Sequence, residues 1–165
     1  MIDPNQPLDS RSAEVREVYA YFGLVMYSAQ CLERELSLVL TVAFKPRPRT
    51  RPDFDELLER RYRKTLGALV AELRKAEKGD AELEGDLVAA LEKRNWLAHH
   101  YFWDRAGKFM TSNGRYSMME ELKLINDEFS ALDKRLSQVT TRWRKKVGIT
   151  DEIIDAEMRK LAETQ

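Results

Sequence analysis

The sequence predicts an all-α protein: one antiparallel helical bundle of about four to six helices, with long first and penultimate members. Three observations carry this. Apolar residues recur every three to four positions over two long segments, 13–44 and 118–143. The 165 residues include only seven glycines and five prolines, few β-branched runs, and many Leu, Ala, Glu, Lys and Arg, the residues that lose least on entering a helix. Between the periodic segments lie residues that start or stop helices. A hydrophobic content of 43% in a chain of this length supports one core rather than two. The expected organisation is a polar tail over 1–12, a bundle over 13–147, and a short helix over 148–165 packed on the bundle or on a partner subunit.

The tail contains Pro4 and Pro7 and ends in a choice of serine caps, Ser10 or Ser12. Its acidic, proline-containing start lacks the character of a signal peptide. The first helix is expected over 13–44, where Val15, Val18, Phe22, Val25, Ala29, Leu32, Leu36, Val39 and Leu40 share a face. Glu33 interrupts that face, as either a functional acid or a buried partner for Arg94 or for a helix end, and a structural partner is the expectation. Pro46, Pro48 and Pro52 then impose a basic connector. Asp53 with Glu56 opens a short helix by capping-box logic. Another begins near Thr65 with Leu66, Leu69, Val70 and Leu73. Between them, Arg60, Arg61, Arg63 and Lys64 form a cationic run that reads either as an RNA-contacting edge or as a solvated helix face neutralised by Asp53, Asp55, Glu56 and Glu59.

Gly79-Asp80 breaks the chain before a helix expected over 81–103. Gly107 through Arg115 reads as a turn-rich link with room for a short hairpin. Ser117 with Glu120 is a second capping box. The helix it opens carries Met118, Leu122, Ile125, Phe129, Leu132, Leu136, Val139 and Trp143, alternating four and three, a seam that asks for a long antiparallel partner. Trp143, the last of that seam, is expected in the core rather than as a base-stacking ring. Gly148 ends the helix, and Thr150-Asp151-Glu152 starts a short one with Ile153, Ile154, Met158 and Leu161, too short to be stable undocked.

Composition excludes several functions. The formal net charge is zero, so any nucleic-acid attraction must be local. One cysteine, Cys31, rules out an internal disulfide and any multi-cysteine zinc site. No run reaches the ~18 apolar residues of a membrane span, so no membrane association is expected and the cytoplasm is the default. His99 and His100 are the only imidazoles, and as helix neighbours they point about 100° apart, which does not suit one metal ion. No glycine-rich phosphate loop occurs. No cofactor and no metal are expected.

The segment Arg94-Asn95-Trp96-Leu97-Ala98-His99-His100-Tyr101 remains. With Leu91 at 0°, the apolar stripe Leu87, Val88, Leu91, Ala98, Phe102 also receives Arg94 and Asn95, polar groups that need partners if buried. Arg94 near −60° and His99 near +80° straddle the stripe without converging. Either the helix distorts at His99, or two copies meet across a two-fold axis and bring both pairs into one cleft, a setting suited to phosphodiester chemistry.

Arg94-Asn95-x-x-x-His99 resembles the Arg-x4–6-His motif of the HEPN superfamily, including the polar residue after the arginine. His99-His100-Tyr101 is similar to the extended form found in HEPN toxins paired with nucleotidyltransferase antitoxins. The resemblance spans roughly residues 13–146. It implies a HEPN-like bundle and a metal-independent endoribonuclease, toxin or defence-like, acting as a homodimer with its motifs at the interface. By that resemblance His99 is the general acid or base, Arg94 stabilises phosphoryl charge, Asn95 orients substrate or His99, and Tyr101 is a candidate for adenylylation by a nucleotidyltransferase-type antitoxin. The alternative is a non-catalytic dimeric HEPN-like module that binds RNA, a nucleotide or a protein partner.

Overall fold

A computed structural model describes residues 9–44, 50–75 and 81–163. The start of the tail at 1–8, the proline connector at 45–49 and the Gly79-Asp80 break lie outside these. Among the described residues there are eight helices and no strand: α1 Ser10–Ala43, α2 Arg51–Tyr62, α3 Leu66–Lys75, α4 Ala81–His99, α5 Tyr101–Asp104, α6 Ala106–Phe109, α7 Ser112–Lys146 and α8 Asp151–Glu163. The chain is all-α. The count exceeds the expected four to six because the helix expected over 81–103 breaks after His99 into α4 and the single turn α5, and because α6 is a single turn where a link was expected.

Several helix starts differ from expectation, always by one rule. The residue that caps is the one whose side chain reaches a free backbone N–H, and more than one candidate was present in sequence. Asp9 caps α1, its carboxylate accepting from the Ser12 N–H at 3.0 Å, so Ser10–Ser12 belong to the helix and not to a tail. Thr50 caps α2 in a full capping box with Asp53, and Pro52 lies in the first turn, where its missing N–H is harmless. Thr111 caps α7, not Ser117, and its hydroxyl accepts from the Gly114 N–H at 3.1 Å. The expected hairpin over 107–115 is therefore α6 and the first turn of α7. Gly148 follows α7 with φ +75°, the left-handed backbone that favours glycine at a helix end.

α1 and α7 form the largest interface, and they run parallel. The pairs Glu14–Arg115, Tyr21–Lys123, Ser28–Asn126 and Glu35–Thr140 climb both helices together, at sequence offsets that stay between 98 and 105. An antiparallel pair would show one number rising as the other falls. That is the pattern of α4 and the α5 turn that follows it against α7, through Asp86–Arg135, Lys93–Glu128 and Tyr101–Met118. It is also their pattern against α1, through Glu33–Arg94 and Phe22–Tyr101. The expected antiparallel pairing of the two long helices is thus corrected. A heptad seam chooses which faces meet, not the direction of the partner, and the antiparallel helix here is α4.

The core between them is built from Val25, Leu32, Leu36, Leu87, Leu97, Tyr101, Met118, Leu122, Phe129 and Leu136, with Leu66, Leu69 and Leu73 of α3 closing one side. Two buried arginines tie the helices together. Arg61 of α2 is 1% exposed and donates to Glu72 of α3 at 2.9 and 2.5 Å and to the Thr41 hydroxyl of α1 at 3.1 Å. Arg115 bonds Glu14 of α1 and the Phe109 carbonyl, fastening the start of α7 to α1 and α6. Trp143 stacks on Phe54 of α2 with ring centroids 5.4 Å apart and planes 7° from parallel, which joins the end of α7 to α2. In α8, Ile153 and Met158 stay exposed.

α6 and α7 approach so closely that Gly114 has no room for a side chain. A Cβ there would meet the Lys108 carbonyl oxygen and lie 2.6 Å from both Lys108 C and Lys108 Cα, all backbone atoms that cannot rotate away. Gly114→Ala is expected to cost about 1–3 kcal/mol through forced backbone displacement, seen as a lower thermal midpoint. An unchanged midpoint would show that α6 can shift freely.

Candidate functional site

The motif helix buries a different face from the one the apolar stripe suggests. Leu87, Ala90, Leu97 and Tyr101 are buried, Leu83 packs beside them, and Arg94 points along the middle of that side. Val88, Leu91 and Phe102 form a half-buried flank, and Leu91 packs close to Gly67 of α3. Ala98 and Asn95 face solvent. Asn95 is thus corrected from a buried amide to an exposed one. The stripe expected from the sequence is turned because three helices, α1, α3 and α7, pack on α4, and a helix covered from several sides does not bury one narrow apolar face.

Arg94 is half-buried, with 30% of its side chain exposed. Its Nη2 lies 3.4 Å from Glu33 Oε1 on α1, and its Nη1 donates to Asn95 Oδ1 at 3.2 Å. The structure therefore pairs Glu33 with Arg94. Glu33 Oε1 is buried and accepts no hydrogen bond of good geometry, so this longer ion pair is what balances its charge. The guanidinium is aimed from both sides and keeps an open edge.

The helix does distort where the motif ends. α4 stops at His99, His100 takes φ −130° and ψ −20°, and α5 resumes at Tyr101. His99 and His100 are both exposed, with ring centroids 6.3 Å apart and planes 65° from parallel. Neither imidazole hydrogen-bonds a described residue. The distortion does not bring His99 to Arg94: five helical residues separate them, about 7.5 Å along the axis and about 140° around it. Among the described residues no three His, Cys, Asp or Glu side chains are grouped to hold a metal ion.

Tyr101 is placed in the core and not on the surface. It is 0% exposed, its hydroxyl donates to the Met118 carbonyl at 3.2 Å, and burial raises its pKa, with the Glu121 charge adding to the effect. A hydroxyl held this way is out of reach of a transferase, so the adenylylation role is corrected. The buried residues at 87, 90, 97 and 101, with the half-buried Arg94 between them, show why: Tyr101 continues the inner face.

The junction carrying His99 is fixed by residues that sequence reasoning did not single out. Trp96 Nε1 donates to Asp104 at 2.8 Å, and the Trp96 ring meets Tyr101 edge-on at 5.1 Å. Arg105 lies over the Trp96 ring at 4.9 Å and grips Glu121 of α7 with two bonds of 2.8 and 2.6 Å. The bond from Arg105 holds the Glu121 carboxyl below its ordinary value. A distance of eight residues across a helix break carries no sequence signature.

The four cations proposed as RNA contacts separate. Arg61 is buried and structural, and Lys64 pairs with Glu72 at 2.5 Å. Arg60 and Arg63 are exposed. Arg61 follows Leu57 by four residues, on the same inward face of α2, and that periodicity outweighs its place in a charged run. Compared with models of protein families, with curated proteins and with solved structures, the chain matches none.

Proposed function

We propose that this chain is a metal-independent endoribonuclease of the HEPN type, with an active site completed when a second copy supplies its own Arg94 and His99. The observation that carries the reading is the pairing of an exposed, unengaged imidazole, His99, with a half-exposed guanidinium, Arg94, oriented by Glu33 and Asn95. One chain holds the two about 140° apart around α4, so a two-fold axis beside Ala98 and Asn95 is what joins them into one cleft. In that cleft His99 moves the proton of the ribose 2′-hydroxyl or of the leaving oxygen. Arg94 meets the charge that grows on the phosphoryl oxygens. Asn95 positions substrate or the guanidinium. The reading includes the cytoplasm as the setting and leaves a nucleotidyltransferase-type antitoxin as a partner that must act elsewhere than at Tyr101.

The test is cleavage of RNA by the purified protein in EDTA, with products that end in a 2′,3′-cyclic phosphate and with DNA left intact. Dependence on added metal would sink the mechanism. Sedimentation of the chain as a stable monomer would remove the composite site.

A non-catalytic module is the second reading, and the Glu33–Arg94 ion pair is the observation that favours it, since a guanidinium committed to a carboxylate is also a plain structural tie. On this reading no turnover occurs, and Arg94→Ala lowers the thermal midpoint or weakens self-association.

A further inference from the structure

The side of α1 that carries Glu33 continues toward the start of the helix. Ser12, Tyr19, Met26 and Glu33 are spaced seven apart, so they follow one line that drifts only about 20° per heptad. From Ser12 to Glu33 that line is about 32 Å long at 1.5 Å per residue. Its near end is the Arg94 site. At its far end Arg11, Ser12, Val15, Arg16 and Tyr19 line a surface concavity of about 380 Å³.

The chemistry of that concavity is cationic and aromatic. Arg11 and Arg16 are exposed, and neither pairs with a carboxylate among the described residues. The acids nearby are engaged or turned away. Asp9 accepts from the backbone and side chain of Ser12 at 3.0 and 2.7 Å. Glu14 holds Arg115 and Ser112 at 2.8 Å each. Glu17 lies about 160° round the helix from Tyr19, beside Tyr116 and Met119 of α7. The Tyr19 ring is 52% exposed and is braced by Phe102 at 5.4 Å and Phe109 at 5.8 Å. Phe102 comes three residues after His99, so the motif turn itself supports this ring. A fixed aromatic face between two unpaired guanidiniums is the arrangement that binds a base and its flanking phosphates.

We propose that this concavity is a subsite for single-stranded RNA, in which Tyr19 stacks a base and Arg11 and Arg16 hold the adjoining phosphates, the strand then continuing toward the His99 turn whose Phe102 braces Tyr19. The proposal rests on the ribonuclease reading for the identity of the substrate. It adds where the strand lies outside the reacting bond.

The experiment measures binding of a fluorescein-labelled 12-nucleotide oligouridine to full-length His99→Ala protein by anisotropy, over a series of salt concentrations. Arg11→Ala with Arg16→Ala is expected to weaken binding at least 10-fold and to lower the slope of log affinity against log salt by about 1.4, two phosphates at roughly 0.7 each. Tyr19→Ala is expected to weaken it about 10-fold, with Tyr19→Phe restoring it. Arg142→Ala with Lys145→Ala, at the other end of α7, should change neither. Unchanged affinity and slope in the double arginine variant overturns the subsite, as does no binding at all or equal binding of duplex DNA. If the parent cleaves RNA and the arginine variant cleaves equally well, the subsite fails and the nuclease stands. If RNA binds through Arg11 and Arg16 but is never cleaved, the nuclease fails and the subsite stands.

Discussion

On the proposed mechanism His99→Ala is expected to reduce RNA cleavage by about 10²–10⁴-fold, the usual cost of losing a general acid or base, while leaving the fold unchanged. The imidazole is exposed and bonds to no described residue, so its removal takes nothing from the core. Circular dichroism and the thermal midpoint should match the parent, and the loss should appear in kcat more than in KM. His100→Ala is the matched control, since the neighbouring ring lies 6.3 Å away and carries no assigned role. Equal loss in both variants, or cleavage that survives His99→Ala, would remove His99 from the mechanism. Arg94→Ala behaves differently because it has two jobs. On the proposed mechanism it removes the charge that would face phosphate, and it also leaves Glu33, with its buried Oε1, without its cation. Both activity and stability should fall, and Arg94→Ala with Glu33→Gln should recover stability alone.

Arg61→Ala is expected to destabilise the protein by about 3 kcal/mol, the lower end of the range for breaking a buried ion pair, because Glu72 keeps Lys64 and some solvent. In a domain of this size that corresponds to a thermal midpoint lower by roughly 6–12 °C. The loss combines the guanidinium bonds to Glu72 with an unmet acceptor at the Thr41 hydroxyl. RNA affinity per folded molecule should not change, which separates this arginine from a ligand contact. The same cluster makes stability acid-sensitive. Desolvation pushes the Glu72 carboxyl up, but its bonds from Lys64 and Arg61 outweigh this, and the net shift is below the ordinary value of 4.5. A lowered folded-state pKa means the contribution is complete above the unfolded value and disappears as pH falls through the lower, folded one. The parent should therefore lose stability on acidification below about pH 4.5, and Glu72→Gln should flatten that part of the curve. An unchanged acid limb would place the sensitivity elsewhere.

Much of this could be read from the residues alone. Of the seam, Met118, Leu122, Ile125, Phe129, Leu132 and Leu136 are buried as its spacing required, while Val139 and Trp143 at its end are half-buried. The face of α1 through Val18, Val25, Leu32 and Leu36 is buried in the same way. The separation of Arg94 and His99 around the helix was within reach of a helical-wheel argument, whereas the helix end at His99 was not, since the helix was expected to continue to 103. Arg11 and Arg16 were not, because in sequence they are two cations of a mixed-charge segment, and only the structure shows Asp9 and Glu14 engaged elsewhere and Glu17 turned to another face.

Local chemistry was enough to set the helical class, the rough extent of the long helices and the two long apolar faces, since side-chain periodicity and capping act within a few residues of one another. Helix direction, the rotation of α4 and the inward turn of Arg61 and Tyr101 were settled only by packing. Each depends on which surfaces of distant segments meet, and an apolar stripe is satisfied by either direction of a neighbour and by a range of rotations until α1, α4 and α7 are all in place.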